Sequence, residues 1–149
     1  MLEQHVHFHS EALKRRQEMS KTNAIVIFGA SGDLTRRKLM PSLYDLYRKG
    51  RLPENWRIVG VSRTEFTDDA FRAHVESGVK EFARASYDAG TWRAFAANVC
   101  YFQGDLTDFE QLKQVDQMLC EWEDGRHRNS LYYLSIAPNA YEQGVARLV

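Results

Sequence analysis

Apolar runs and stretches with helical spacing alternate along the chain. The run Ala24–Phe28 is continuously apolar, which is typical of a strand buried on both faces of a sheet. Similar runs predict three further strands, at Trp56–Val61, Val99–Gln103 and Leu131–Ile136. Apolar residues at helical spacing predict helices over residues 34–49, 67–85, 91–97 and 108–122, and a last helix opens at residue 138.

This alternation is typical of an α/β fold. Parallel strands joined by right-handed helical crossovers place helices on both faces of the sheet. We predict a Rossmann-like doubly wound parallel sheet, truncated after its fourth strand, over residues 23–149. Residues 1–22 are polar and predict an N-terminal extension, helical or disordered. As an exposed edge, the apolar fourth strand is expected to favour pairing with another chain.

Local signals predict the helix starts. Thr67, Thr91 and the pair Thr107-Asp108 are expected to cap three helices, because their side-chain oxygens accept hydrogen bonds from the free amides of a first helical turn. Pro41 lies within the first predicted helix. Since proline has no amide to donate, we expect it in or near the first turn of that helix.

Composition restricts location and partners. Lys plus Arg and Asp plus Glu number 20 each, so a formal net charge of zero gives no overall attraction to nucleic acid or to an anionic membrane. No signal peptide or membrane span is indicated, and we expect a cytoplasmic protein. Cys100 and Cys120 are expected to be reduced core thiols. His5, His7 and His9 have no carboxylate or cysteine beside them, which favours a polar tail over a metal site.

The most informative stretch is Gly29-Ala30-Ser31-Gly32-Asp33-Leu34, between a buried strand and a helix. In this context glycines allow a tight turn, and the amides of the helix start can bind the pyrophosphate of a dinucleotide. Gly29 would form the turn, Gly32 would allow close approach, and Ser31 would add a hydroxyl. The spacing lacks a third glycine, so a plain strand-to-helix turn is the alternative. Because a carboxylate repels phosphate, Asp33 is expected to turn away and hold the loop through backbone amides.

The end of the second strand bears on the choice of cofactor. NAD-binding domains place a carboxylate there, against the ribose 2′-hydroxyl. This chain has Ser62, Arg63 and Thr64 instead, and a guanidinium with two hydroxyls suits the 2′-phosphate of NADP. Arg63 is therefore predicted to bind NADP, and the alternative is an ordinary surface arginine.

Two later turns lie at the same edge of the predicted sheet, where ligands of such folds bind. Asp105-Leu106 follows the third strand and could flank the adenosine. Ala137-Pro138 follows the fourth strand and could border the nicotinamide. Each turn could equally be a simple connection, since Asp105 is also a good helix-capping residue.

A longer run makes the glycine turn more specific. Residues 29–41, G-A-S-G-D-L-T-R-R-K-L-M-P, resemble the opening fingerprint of the glucose-6-phosphate dehydrogenase family. The resemblance continues in Leu52–Asn55, Val59–Arg63 and Leu131–Pro138, and it spans about residues 23–149.

The resemblance implies roles for individual residues. Residues 29–34 would hold the NADP pyrophosphate, Arg63 the 2′-phosphate, and Asp105-Leu106 the nucleotide. Lys38 would lie where the cofactor and substrate sites meet, since an ammonium attracts an anionic sugar. Its neighbour Arg36 is expected to be a solvated cation on the same helical turn.

The resemblance also implies an activity. Members of the family belong to the pentose phosphate pathway and oxidise C1 of glucose 6-phosphate to the lactone, while a histidine takes the hydroxyl proton. That histidine lies in an R-I-D-H-Y-x-G-K-E stretch, and a substrate-facing lysine lies in E-K-P-F-G; neither occurs in these 149 residues. We therefore assign no catalytic residue and no metal ligand, and we expect the isolated chain to lack the substrate domain and to be inactive. The whole protein is expected to be a homo-oligomer.

Two other functions share part of this pattern. A short-chain or epimerase-like enzyme would have similar glycine spacing, but it needs a Tyr-x-x-x-Lys pair. None of Tyr132, Tyr133 and Tyr141 has a lysine four residues later. A non-catalytic NADP-binding module is compatible with the residues present.

Overall fold

The computed structural model of the chain describes residues 23–122 and 129–148. The predicted N-terminal extension with its histidines lies outside the described residues. No helix within these two ranges is long and apolar enough to cross a membrane.

The strands form one parallel sheet. They are β1 (Asn23–Phe28), β2 (Trp56–Ser62), β3 (Val99–Gln103) and β4 (Asn129–Leu134), and their order across the sheet is β3-β2-β1-β4. This order confirms the predicted doubly wound α/β sheet. β4 lies two residues earlier in the chain than predicted. Its register places Leu134 opposite Phe28, where β1 ends, so pairing stops there.

Each strand is followed by one or two helices. They are α1 (Met40–Arg48), α2 (Asp68–Phe82), α3 (Ala89–Ala96), α4 (Phe109–Glu121) and α5 (Tyr141–Leu148). A π-helical turn (Thr35–Leu39) precedes α1, and a 3₁₀ turn (Pro138–Ala140) precedes α5.

Side-chain oxygens cap three of these helices. Thr67 accepts from the amide of Ala70 at the start of α2, as predicted. Asp108 of the predicted pair Thr107-Asp108 caps α4. The predicted cap at Thr91 is wrong, because the carboxylate of Asp88 caps α3 and accepts the amide of Thr91 at 2.8 Å.

Pro41 lies in the first turn of α1, as predicted. The helical segment nevertheless begins earlier, at Asp33. In the π-helical turn between them, the amide of Met40 donates to the carbonyl of Thr35, five residues back. Pro41 has no amide hydrogen to donate, and the wider hydrogen-bond pattern ends just before it. The residues before the proline can therefore be helical without needing a hydrogen bond from it.

Two apolar clusters cover the two faces of the sheet. Helices α1, α2 and α3 pack on one face, where Tyr44 and Phe71 are fully buried. Helix α4 packs on the other face through Leu112 and Leu119. The helices therefore lie on both faces, which is the predicted arrangement.

The two cysteines differ in environment. Burial raises the pKa of the Cys100 thiol to about 12, which keeps it protonated. Cys120 is exposed. It follows Leu119 on α4, and neighbouring helical residues point in different directions. The expectation of a core thiol is therefore wrong for Cys120.

β4 is an edge of the sheet in the part of the chain that the structure describes. It pairs with β1 alone, and Leu131 is 61% exposed. Tyr132 and Tyr133 are also exposed. The predicted apolar edge is confirmed, and its pairing with another chain stays a prediction.

Candidate dinucleotide-binding site

The carboxyl ends of the four strands surround one cleft of about 830 Å³. Its walls are formed by the turns that follow each strand, at Gly29, Arg63, Asp105 and Ala137. Ligands of parallel α/β sheets bind at this edge, between the strands from which the chain proceeds in opposite directions. That point lies between the ends of β1 and β4, because the chain passes from β1 to β2 and β3 on one side and then to β4 on the other.

The turn after β1 is held tightly against the sheet. Gly29 has a φ of +76°, and a β-carbon there would lie 1.9 Å from the carbonyl oxygen of Ser135. The Gly29 amide donates to the carbonyl of Val61 at 2.9 Å, and the Gly32 amide donates to the carbonyl of Gly29 at 3.0 Å. Position 29 therefore requires glycine, because any side chain would be strained and would collide with the turn after β4.

The helix start after this turn has amides without an intrahelical acceptor. The first helical hydrogen bond joins the Arg36 amide to the Gly32 carbonyl. The amides of residues 33–35 come before it and therefore have no carbonyl partner within the helix. The buried Thr35 hydroxyl donates to the carbonyl of Gly29 at 3.4 Å and fastens the helix to the turn. A tight glycine turn, free amides and the positive end of the helix dipole fit the pyrophosphate of a dinucleotide.

A chain of hydroxyls joins the glycine turn to the end of β2. Ser31 Oγ accepts from Ser62 Oγ at 3.0 Å and from Thr64 Oγ1 at 2.9 Å. Ser62 Oγ lies 2.7 Å from the phenol oxygen of Tyr101, and His74 Nε2 lies 3.2 Å from the Ser31 carbonyl oxygen. The turn and the strand end thus form one hydrogen-bonded wall of the cleft.

Arg63 and Asp105 line the cleft beside this wall. The Asp105 carboxylate accepts from the amide and from the hydroxyl of Thr107, both at 2.8 Å. These bonds, and to a smaller degree the positive charge of Arg63, lower the pKa of Asp105, although partial burial acts against them. In the described ranges, Arg63 forms no salt bridge. Its guanidinium is therefore available to an anion.

Most of the predicted cofactor-binding residues line the cleft: Gly29, Ser31, Gly32, Arg63, Asp105, Leu106 and Ala137. The others, Ala30, Asp33, Leu34 and Pro138, do not line it. Ala30 is fully buried, and its methyl group lies against the position of the missing Gly60 side chain. The side chains of the remaining three are exposed.

The basic residues after the glycine turn differ in their contacts. Arg36 pairs with Glu81 of α2 at 2.7 Å and is partly buried, so the expectation of a solvated side chain is wrong. Arg37 pairs with Asp33 at 3.2 Å. The predicted bonding of Asp33 to backbone amides is therefore wrong, because its carboxylate binds a guanidinium one helical turn later. Lys38 is exposed, does not line the cleft, and forms no salt bridge within residues 23–122 and 129–148.

Sequence reasoning missed two residues that contact this hydrogen-bonded wall from behind, Tyr101 and His74. Tyr101 lies in the middle of a buried strand and has the pattern of a core residue. His74 lies on α2 outside any recognisable motif. The one signal is a phenol close to the carboxyl end of β3, since a buried tyrosine hydroxyl requires a hydrogen-bond partner.

A parallel sheet in this order, with a glycine turn and a helix start at its reversal point, defines a dinucleotide-binding domain of the Rossmann type. The chain belongs to the family described as glucose-6-phosphate dehydrogenase, NAD binding domain, whose model matches residues 26–149. The family therefore supports a nicotinamide dinucleotide as the occupant of the cleft.

Curated relatives carry the same family name. The glucose-6-phosphate 1-dehydrogenase of Schizosaccharomyces pombe is 30% identical over 145 residues, covering 88% of this chain and 29% of that protein. The protein of the same name from Treponema pallidum is 36% identical over 121 residues, covering 79% and 24%. The chloroplastic protein of Nicotiana tabacum is 35% identical over 125 residues, covering 83% and 21%.

Solved structures agree with this assignment. One, described as glucose-6-phosphate dehydrogenase in complex with its substrate glucose-6-phosphate, has a TM-score of 0.74 at 28% identity, covering 86% of this chain and 27% of that chain. Glucose-6-phosphate 1-dehydrogenase from Mycobacterium avium has a TM-score of 0.72 at 28% identity, covering 85% and 26%. The chain thus spans about a quarter of the length of the relatives that it matches.

Proposed function

We propose that the chain is the NADP-binding portion of a glucose-6-phosphate dehydrogenase, which oxidises glucose 6-phosphate at C1 to 6-phosphogluconolactone with hydride transfer to NADP. The glycine turn at the centre of the cleft carries the proposal. Position 29 admits only glycine, and the following helix start has amides free for a pyrophosphate. The names of the relatives supply the substrate class.

The wall beside β2 supports a site for the 2′-phosphate. Ser31 Oγ accepts two hydrogen bonds, so its own proton remains available to a ligand. Arg63 lines the same wall, and a guanidinium binds phosphate through charge-assisted hydrogen bonds. Among the described residues that line the cleft, Asp105 is the one carboxylate, and Thr107 occupies its Oδ1 atom. These features favour NADP over NAD.

The remaining predicted residues complete the assignment. Asp105 and Leu106 would flank the adenosine, and Ala137 and Pro138 would border the nicotinamide, which accepts the hydride when bound. Lys38 has no competing salt bridge in the described part of the chain and would attract the sugar phosphate. The residues of this chain bind and orient the cofactor, and none of them is assigned as the general base.

Titration of the full 149-residue chain with NADP⁺ and with NAD⁺ by calorimetry tests the proposal. We expect tighter binding of NADP⁺, and we expect Arg63→Ala to raise its Kd by about 10- to 100-fold, as for a lost charged hydrogen bond. The Kd for NAD⁺ should change little. Arg51→Ala removes an exposed arginine at the opposite edge of the sheet and serves as the matched control.

Two results would contradict the proposal. The first is a chain that binds neither dinucleotide. The second is an equal loss of affinity for both dinucleotides in Arg63→Ala, which would remove Arg63 from the 2′-phosphate site.

The activity is tested separately. The 149-residue chain should bind NADP⁺ without reducing it when glucose 6-phosphate is added. A protein of the relatives' length that contains this chain should form NADPH under the same conditions. Formation of NADPH by the 149 residues alone would show that one of them acts as the general base.

We also propose that the whole protein works as a homo-oligomer in the cytoplasm. The exposed apolar edge at β4 supports a need for further packing partners. Light scattering of the whole protein and fractionation of the cells that produce it test these two statements. A monomer, or enrichment in an organelle, would contradict them.

A further inference from the structure

Tyr101 lies close to the proposed 2′-phosphate site but does not line the cleft. It is the third residue of β3 and pairs in register with Gly60 of β2. Its ring centroid lies 4.8 Å from that of Phe71 and 5.5 Å from that of Phe66. The Tyr101 amide donates to Asp68 Oδ1 at 2.7 Å. Ring and backbone are therefore both held by contacts with α2 and with the segment before it.

The Tyr101 hydroxyl contacts the backbone on both sides of Arg63. The phenol oxygen lies 2.9 Å from the carbonyl oxygen of Ser62 and also contacts that of Thr64, and its one proton is shared between the two carbonyls. It also lies 2.7 Å from Ser62 Oγ, which continues to Ser31 of the glycine turn. The Tyr101 hydroxyl thus contacts the residues before and after Arg63 and connects this segment to Ser31 of the glycine turn.

A second side chain of β3 acts on the same segment. Gln103 Nε2 donates to the carbonyl of Arg63 at 3.3 Å. The carbonyls of three consecutive residues, 62–64, therefore have partners on β3. Such bonding restricts the backbone from which the Arg63 side chain extends, and a preorganised donor loses less entropy when it binds.

The hydroxyl remains a donor at neutral pH. Burial raises the pKa of Tyr101, while hydrogen bonds with the hydroxyl and carbonyl of Ser62 act in the opposite direction. Only the protonated phenol has a hydrogen to share between the two carbonyls.

We propose that Tyr101 is a positioning residue that holds Arg63 for the 2′-phosphate and so contributes to the preference for NADP over NAD. This inference rests on the proposed function of the site. Tyr101 acts through Arg63 and touches no ligand. Its effect should therefore be confined to dinucleotides that carry the 2′-phosphate.

The test is Tyr101→Phe in the full chain, titrated with NADP⁺ and NAD⁺. Removal of one positioning hydrogen bond should raise the Kd for NADP⁺ by about five- to tenfold and leave the Kd for NAD⁺ within about twofold. In an Arg63→Ala background the same substitution should have no further effect on NADP⁺, because the residue that it positions is absent.

Tyr44→Phe is the matched control. Tyr44 is a fully buried tyrosine whose hydroxyl contacts the backbone of Ser86 and Asp88, far from the cleft. It should lower the melting temperature as Tyr101→Phe does and leave both dissociation constants unchanged. Gln103→Ala, at an exposed position, should cause a smaller but equally selective loss if Tyr101→Phe does not fold.

The outcomes separate the two proposals. If the unmodified chain prefers NADP⁺ and Tyr101→Phe weakens both dinucleotides equally, or neither, the inference about Tyr101 is wrong and the proposed function stands. If Tyr101→Phe weakens NADP⁺ equally with and without Arg63, Tyr101 does not act through the arginine. If the unmodified chain has no preference, the proposed 2′-phosphate site fails, and the inference fails with it.

Discussion

The two walls of the cleft differ in how the rest of the molecule supports them. The wall at the ends of β1, β2 and β3 has a buried aromatic layer behind it, in which Phe71 contacts Tyr101. The wall at the end of β4 follows an edge strand whose Leu131 and Tyr133 are exposed. The two walls touch at Gly29. The proposed phosphate-binding part of the cleft is therefore supported directly by the buried core.

The largest expected effect is the loss of a buried ring behind the wall at the ends of β1, β2 and β3. Phe71→Ala deletes a fully buried ring and should lower the free energy of unfolding by about 3–5 kcal/mol. Tyr133→Ala on β4 should lower it by less than about 1 kcal/mol, because that side chain is 39% exposed. Urea unfolding of the two variants measures both values, and similar losses would show that the walls are equally supported.

The contact between the walls should give the next largest effect. Gly29→Ala adds a methyl group against the Ser135 carbonyl at a positive φ, and we expect a loss of about 2–4 kcal/mol. Gly50 also has a positive φ, +64°, but a β-carbon there would meet nothing within 4 Å. Gly50→Ala should therefore cost only about 1 kcal/mol of backbone strain. If thermal unfolding shows equal losses of stability for the two variants, the close contact between the walls at residue 29 is contradicted.

The smallest effect concerns pH. Hydrogen bonds from Thr107 lower the pKa of Asp105 in the folded chain. The ionised Asp105 carboxylate therefore stabilises the folded state fully at pH values above the ordinary carboxyl pKa. It is lost as the pH falls through the lowered value. The melting temperature of the unmodified chain should therefore fall more on acidification than that of Asp105→Asn. Parallel curves for the two proteins would contradict this role of Asp105.

Part of the site follows from local sequence. β1 is a continuous apolar run that ends at a glycine, and buried parallel strands have this composition because both faces pack on helices. The glycine turn and Arg63 follow strand ends, and parallel strands bring their carboxyl ends to one edge. These residues could be predicted because their position depends on strand order alone.

Other parts depend on residues far apart in the chain. Arg36 pairs with Glu81, 45 positions later, and no local pattern indicates that contact. Tyr101 has the sequence pattern of a core residue, and its hydroxyl reaches the carbonyl of Thr64 across 37 positions. Asp33 had two partners available by chemistry, backbone amides and Arg37, and only the three-dimensional structure shows the second.

Local sequence is enough to predict the doubly wound sheet, the glycine turn and the positive charge that follows β2, because periodicity and backbone conformational limits act over a few residues. The pairing of the cations, the hydroxyls that connect the turn to β2, and the tyrosine that contacts both neighbours of Arg63 become visible only in the folded molecule. These contacts depend on distances between elements, which packing sets after the elements have formed.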